Sequence, residues 1–131
     1  MDRNKEIEFL MFTVKQTKDS IFDVAVDMLA REYTIVQTDL YGQTINPETG
    51  GKLRRKAVED FAETLSKLDL VSLPVNEKNT LPIDLDNATL MYVIKGENYF
   101  TDGSQEHDLS ALHKELEQLI GTTFGSYDFY K

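Results

Sequence analysis

An apolar run close to the N-terminus constrains the fold more than any other segment of the chain. Residues 7–14 hold six large apolar side chains, several of them β-branched or aromatic: Ile7, Phe9, Leu10, Met11, Phe12 and Val14. A run of this composition is typical of a central strand that is covered on both faces of a sheet. It is also too short for the core of a signal peptide or for a membrane span, so we expect no membrane association.

Residues 19–33 fit two periodicities. As a helix, the stretch has Asp19 or Ser20 as its cap and one apolar face formed by Ile21, Val24, Ala25, Met28 and Leu29. As a strand, it alternates, with the apolar positions at Phe22, Val24, Val26 and Met28. We favour the helix, because a strand would need a turn before Tyr33 and no Gly, Pro or Asn supplies one.

Three later segments have clearer patterns. Residues 33–41 alternate and are rich in β-formers, which predicts a strand. Apolar residues spaced three or four apart between positions 53 and 68 predict an amphipathic helix. Residues 88–94 predict another strand, which turns at 95–98 and returns as its hairpin partner at 99–101.

The last part of the chain predicts a helix followed by an aromatic tail. Asp108 is a suitable N-cap, the apolar residues between positions 109 and 120 keep helical spacing, and Gly121 is placed to end the helix. The tail at 124–130 is rich in Phe and Tyr. We expect it either to add a strand or to cover an edge of the core.

These elements together predict a single compact α+β domain over residues 1–131. Its sheet is expected to be small, mixed or antiparallel, and packed with two to three helices. Two polar segments that contain proline, 46–51 and 74–82, are expected to be surface loops. A chain of 131 residues buries roughly two-thirds of its unfolded surface, which is enough for a core without cross-links.

The charge balance and the lack of cysteine exclude several classes of function. The chain carries 14 Lys and Arg against 23 Asp and Glu, a net charge of −9. This argues against general nucleic-acid binding, because that affinity depends on neutralising phosphates. Without cysteine there is no disulfide, zinc–thiolate site, iron–sulfur cluster or cysteine nucleophile. We expect a cytoplasmic protein that uses no cofactor.

No catalytic constellation is visible in the sequence. Neither histidine, His107 or His113, is accompanied by a Gly-x-Ser-x-Gly nucleophile elbow, and both are expected to be partly solvated. His113 and Glu117 lie one helical turn apart and face the same way, as two metal ligands must. This spacing is common by chance, so we interpret the pair as a solvated helix face. An enzyme is therefore the less favoured class.

One enzymatic alternative remains open. Asp84 and Asp86 lie two positions apart and would point to one side of an extended segment. With Glu97 from the following hairpin they would form a carboxylate site for Mg²⁺ or Mn²⁺, as a hydrolase or nuclease requires. Aspartates at strand ends more often form turns, so this is the second hypothesis.

The chain has one basic cluster, at the predicted start of a helix. Its members are Lys52, Arg54, Arg55 and Lys56. Cations are unfavourable beside the positive end of a helix dipole, which makes the cluster a candidate anion-binding site. The alternative is a solvated face whose cations pair one turn later with Glu59, Asp60 or Glu63.

Most of the negative charge lies in the C-terminal part of the chain. Residues 79–131 carry 9 acidic and 3 basic side chains together with several tyrosines. Aromatic anchors among carboxylates that steer a basic partner are a known design of protein interfaces. The candidate partner-binding residues are Glu97, Tyr99, Asp102, Glu106, Tyr127 and Tyr130.

The leading hypothesis is therefore a non-enzymatic protein-binding domain that engages a basic partner protein. It would be of the small inhibitor, immunity or regulatory kind. The metal-dependent hydrolase is the second hypothesis, and a self-associating structural domain, such as a homodimer, is the third.

Overall fold

The computed structural model describes residues 3–72, 88–101 and 109–127 of the chain. Within these ranges the strands are β1 (Ile7–Thr17), β2 (Ser20–Asp27), β3 (Glu32–Asp39), β4 (Thr44–Lys52), β5 (Thr89–Ile94) and β6 (Glu97–Phe100). The α-helices are α1 (Arg55–Leu68) and α2 (Ser110–Ile120), and two short 3-10 turns cover Arg3–Glu6 and Leu70–Ser72.

In these residues the strands form one antiparallel sheet in the order β4-β3-β2-β1-β5-β6. The predicted α+β class is therefore confirmed. The sheet, with six strands, is larger than expected, and the helices of the described residues number two.

β1 lies at the centre of the sheet, as the apolar run at 7–14 predicts. It pairs with β2 on one side and with β5 on the other. Leu10, Phe12 and Val14 are fully buried on one face, whereas Phe9 and Met11 on the other face are half-buried. The sequence predicts that both faces of β1 are covered, but only the face that carries Leu10, Phe12 and Val14 is completely buried.

The core lies between the buried face of the sheet and the two helices. From the helices it receives Phe61, Leu65, Leu112 and Leu116. Each of these side chains contributes about 1.5–3 kcal/mol by leaving water. This layer explains why α1 and α2 keep the apolar spacing that the sequence shows.

The helix favoured for residues 19–33 is wrong, because these residues form β2, a turn and the start of β3. The turn is made without Gly, Pro or Asn. The Asp27 carboxylate accepts hydrogen bonds from the backbone N–H groups of Leu29, at 3.0 Å, and Ala30, at 2.9 Å. Arg31 then takes a left-handed φ of 58° and brings the chain into β3.

The loop expected at 46–51 is also wrong, since these residues belong to β4, an edge strand that is exposed along its whole length. Proline is tolerated at a sheet edge and at a bulge, and Pro47 lies where the register between β3 and β4 shifts. Gly50 permits the close pairing, because a Cβ at this position would lie 2.5 Å from the Tyr33 carbonyl oxygen.

The remaining predicted elements agree with the structure where it describes them. The strands expected at 33–41 and 88–94, and the helix expected at 53–68, correspond to β3, β5 and α1. Lys95 and Gly96, both with positive φ, form a two-residue turn, and Gly121 ends α2 with a φ of 82°. The segment 74–82 and Asp108 lie outside the described residues.

Candidate protein-binding surfaces

The prediction that His113 is solvated is wrong. Its side chain is fully buried, and its Nε2 donates a 2.6 Å hydrogen bond to the Phe124 carbonyl oxygen. Its ring stacks on Tyr127, with 4.2 Å between the ring centroids, and contacts Phe12 and Phe124. His113 lies four residues after Leu109 and three before Leu116, so it belongs to the apolar stripe of α2. That spacing is a signal from which its burial could have been inferred. His107 lies outside the described residues.

Glu117 connects α2 to the tail that follows it. Its carboxylate accepts hydrogen bonds from the Phe124 N–H at 3.0 Å and from the Tyr127 hydroxyl at 2.7 Å. It also lies 3.6 Å from His113 Nε2. Burial lowers the pKa of His113, while partial burial and the bond to Glu117 raise the pKa of Tyr127.

This arrangement is suited to holding the tail rather than to general base catalysis. The Nε2 proton of His113 is engaged by a main-chain carbonyl, and the ring is enclosed by aromatic side chains. Ser126 extends the attachment by donating a 2.8 Å hydrogen bond from its N–H to the Lys15 carbonyl on β1. The tail through Tyr127 therefore covers one end of the core, which is one of the two roles expected for it.

Glu97 and Tyr99, two of the predicted partner-binding residues, lie together on β6. The Tyr99 hydroxyl donates to the Glu97 carboxylate at 3.1 Å. The Tyr99 ring stacks on the buried Tyr92 at 5.4 Å, and the Arg3 guanidinium lies 5.6 Å from its centroid. Tyr99 is therefore half engaged in the fold, while Glu97 remains exposed.

Tyr127 is not part of the same patch. Tyr99 pairs with Tyr92, which pairs with Leu10 on β1. The tail joins β1 at Lys15, five positions further along, which is roughly 17 Å at the rise of a strand. The structure thus places the described candidates at two separate locations, and Asp102, Glu106 and Tyr130 lie outside the described residues.

Two of the four cations in the basic cluster form the ion pairs expected as the alternative. Arg55 pairs with Glu59 at 3.6 Å and Lys56 with Asp60 at 3.5 Å, each one turn later on α1. Lys52, at the end of β4, pairs across the sheet with Glu32. Arg54 occupies the N-cap position of α1.

A groove that the sequence did not suggest lies beside this cluster. The Leu53 N–H donates a 2.7 Å hydrogen bond to the Arg31 carbonyl, which brings the β2–β3 turn next to the start of α1. Between them is an open groove of about 480 Å³. We call it the basic groove, lined by Met28, Leu29, Arg31, Arg55, Val58 and Glu59.

The described residues do not test the metal hypothesis. No group of three His, Cys, Asp or Glu able to hold a metal occurs among them. Asp84 and Asp86 lie outside these ranges, and Glu97 accepts a hydrogen bond from Tyr99. The carboxylate site therefore stays a prediction.

The most exposed apolar side chains of the described residues include a group at the β3–β4 connection, which we call the hairpin tip (residues 39–45). Tyr41 is 92 % exposed, and Leu40 and Ile45 are each 50 % exposed. The Asp39 carboxylate accepts the N–H groups of Tyr41 and Gln43, both at 2.9 Å. Gly42, with a φ of 85°, completes the turn. The loop is thus fixed by its own hydrogen bonds.

Carboxylates also lie at the hairpin tip. Asp39 is within it, and Asp19 precedes Ser20, which pairs with Asp39. Lys18 is the neighbouring cation in the β1–β2 turn. Asp39 and Gly42, three residues apart with Leu40 and Tyr41 between them, are the sequence signal from which a rigid turn with exposed apolar residues could have been inferred.

The chain matches no protein-family model, and neither curated proteins nor solved structures show a significant similarity to it. Among the described residues, neither helix has the length and apolar character that crossing a membrane requires.

Proposed function

We propose that the chain is a non-enzymatic protein-binding domain, of the inhibitor or regulator kind, whose contact with a basic partner is centred on the hairpin tip. The observation that carries this proposal is the exposure of Tyr41, Leu40 and Ile45 on a loop fixed by Asp39. Aromatic side chains of this kind carry much of the energy at protein interfaces.

The rigidity of the loop supports a binding role. Association loses free energy wherever a loop must be ordered on contact, at about 0.5–1.5 kcal/mol for each immobilised side chain. At the hairpin tip the Asp39 N–H also donates to the Gln43 carbonyl at 2.9 Å, so the loop is closed from both sides before any partner arrives. The backbone that carries Tyr41 therefore loses little further free energy to ordering on binding.

The negative charge of the chain favours a positively charged partner. The net charge of −9 favours encounter with a positively charged surface, and the carboxylates of Asp19 and Asp39 lie beside the apolar contact. Glu97, on the opposite edge strand β6, adds to this field at longer range. The expected partner presents an apolar pocket rimmed by Lys or Arg.

The proposal is tested with a displayed library of random linear peptides, selected against the immobilised chain. We expect the selected peptides to be enriched in Lys, Arg and large apolar residues. Tyr41→Ala should weaken their binding at least ~10-fold, as for a truncated interface anchor. Gln118→Ala, an exposed change on α2, is the control and should leave binding unchanged.

A second variant separates the hairpin tip from the patch on β6. If Glu97→Lys abolishes binding and Tyr41→Ala does not, the contact lies on β6 and the proposal for the hairpin tip is wrong. Selected peptides without basic residues would overturn the expected partner class.

A further inference from the structure

We infer that the hairpin tip of one copy docks into the basic groove of a second copy, so that the chain associates head to tail. This inference rests on the proposed function, because it names the chain itself as a partner of the hairpin tip. It depends on the match between the two surfaces in apolar character, charge and rigidity.

The basic groove has the chemistry to accept the hairpin tip. Its apolar lining comes from Met28, Leu29 and Val58, and Leu29 is 74 % exposed. A volume of about 480 Å³ is within the range of roughly 300–1,000 Å³ in which proteins hold ligand-sized groups. Tyr41 with its neighbour Leu40 is the most exposed pair of adjacent large apolar residues among those described.

The groove wall, like the hairpin tip, is held by hydrogen bonds within the chain. Asp27 fixes the turn that carries Leu29, and the Leu53 N–H ties the Arg31 carbonyl to the start of α1. Both partners in the contact are therefore formed in advance, so a small interface loses little free energy to ordering.

The charges of the two surfaces are opposite. Arg31 and Arg55 line the groove, and Arg54 is adjacent in sequence. Arg31 and Arg54 make no ion pair with any residue that the structure describes, and the Arg55–Glu59 pair is exposed and weak. These cations would face Asp19 and Asp39 of the incoming copy. The remaining like charges on the two copies are screened beyond about 8 Å at physiological salt.

The positions of the two surfaces determine the form of the assembly. β3 leads from one to the other, and its eight residues span roughly 26 Å. The hairpin tip therefore cannot reach the groove of its own chain. A contact between two different surfaces is heterologous and repeats head to tail, so it produces open chains unless the rotation closes a ring.

Sedimentation velocity between ~10 µM and ~1 mM tests the inference, since a contact of this size is expected to be weak. At physiological ionic strength the wild-type sedimentation coefficient should rise with concentration, and it should fall back when NaCl is raised above that level. Tyr41→Ser removes the anchor, and Arg31→Asp reverses a groove charge with a residue that tolerates positive φ. Each variant alone should remain monomeric. Lys67→Glu, an exposed charge reversal in the last turn of α1, is the control and should associate like the wild type.

A mixture of the two variants gives the decisive result. Tyr41→Ser keeps an intact groove and Arg31→Asp keeps an intact hairpin tip, so an equimolar mixture should form dimers that cannot extend. Dimers in the mixture also prove that both variants are folded. A wild-type sedimentation coefficient that is constant up to ~1 mM overturns the inference, whereas peptide binding lost in Tyr41→Ala would still support the proposed function. Association that survives in Tyr41→Ser places the interface elsewhere, such as on the β4 edge, and also overturns it.

Discussion

Gly125 offers a quantitative test of how the C-terminal tail is attached to the sheet. Its φ is 69°, and a Cβ built at this position lies 2.5 Å from Val14 Cγ1. Val14 is buried at the centre of the sheet and, being β-branched, has little freedom at χ1 to move away. Gly125→Ala should therefore add a steric conflict to the cost of the backbone conformation.

The two contributions can be separated with Gly121→Ala. Gly121 has a φ of 82°, and no atom lies within 4 Å of the added Cβ. Gly121→Ala should therefore lower the free energy of unfolding by about 1–2 kcal/mol, the cost of the left-handed backbone alone. In Gly125→Ala, overpacking against Val14 adds about 1–3 kcal/mol to this backbone cost. We expect Gly125→Ala to lower the free energy of unfolding by ~2–5 kcal/mol, measured by urea denaturation. If the two variants differ by less than ~0.5 kcal/mol, the close contact with Val14 is wrong.

Three further predictions concern single side chains. Because burial lowers the pKa of His113 in the folded chain, this histidine is protonated at a higher pH in the unfolded chain than in the folded one. Its contribution to the free energy of unfolding should therefore be complete above about pH 6.5 and decline as the pH falls towards the lower folded pKa. A urea midpoint in His113→Gln that still shows this decline would contradict the assignment. Tyr127→Phe removes the 2.7 Å hydrogen bond to Glu117 but keeps the ring, so it should cost ~0.5–1.5 kcal/mol in urea denaturation, and an unchanged midpoint would refute the role of the hydroxyl. Asp39→Ala frees the hairpin tip without removing Tyr41, so the affinity for selected peptides should fall ~3–10-fold in a titration; an unchanged affinity would refute the importance of loop rigidity.

The elements whose apolar pattern fits one periodicity could be predicted from the sequence, whereas β2, whose pattern fits two, and β4, which is wholly exposed, could not. β1 and α1 follow from runs and stripes of apolar residues that the core requires. β2 was missed because its turn is made by the Asp27 side chain and a left-handed Arg31 instead of by Gly, Pro or Asn. β4 was missed because a wholly exposed edge strand needs no alternating pattern.

The candidate surfaces show the same division. The sequence identifies residues by type, as acidic or aromatic, but the exposure of a side chain depends on its neighbours in the fold. The Tyr99 ring is partly covered by Tyr92 and Arg3, whereas the Tyr41 side chain is almost entirely exposed. The basic groove requires Arg31 and Arg55 to meet across 24 positions of sequence, and no local pattern encodes that contact.

The central position of β1 has a consequence for the synthesis of the chain. β1 to β4 form a meander of neighbouring hairpins, which can assemble from local contacts as soon as residue 52 has emerged. The other edge of β1 is completed only by β5, through pairs such as Phe9 with Val93. At about 5–20 residues per second, the nascent chain exposes the edge of its most apolar strand for seconds. Until β5 arrives, the strand that organises the finished sheet also presents an unpaired edge to other chains.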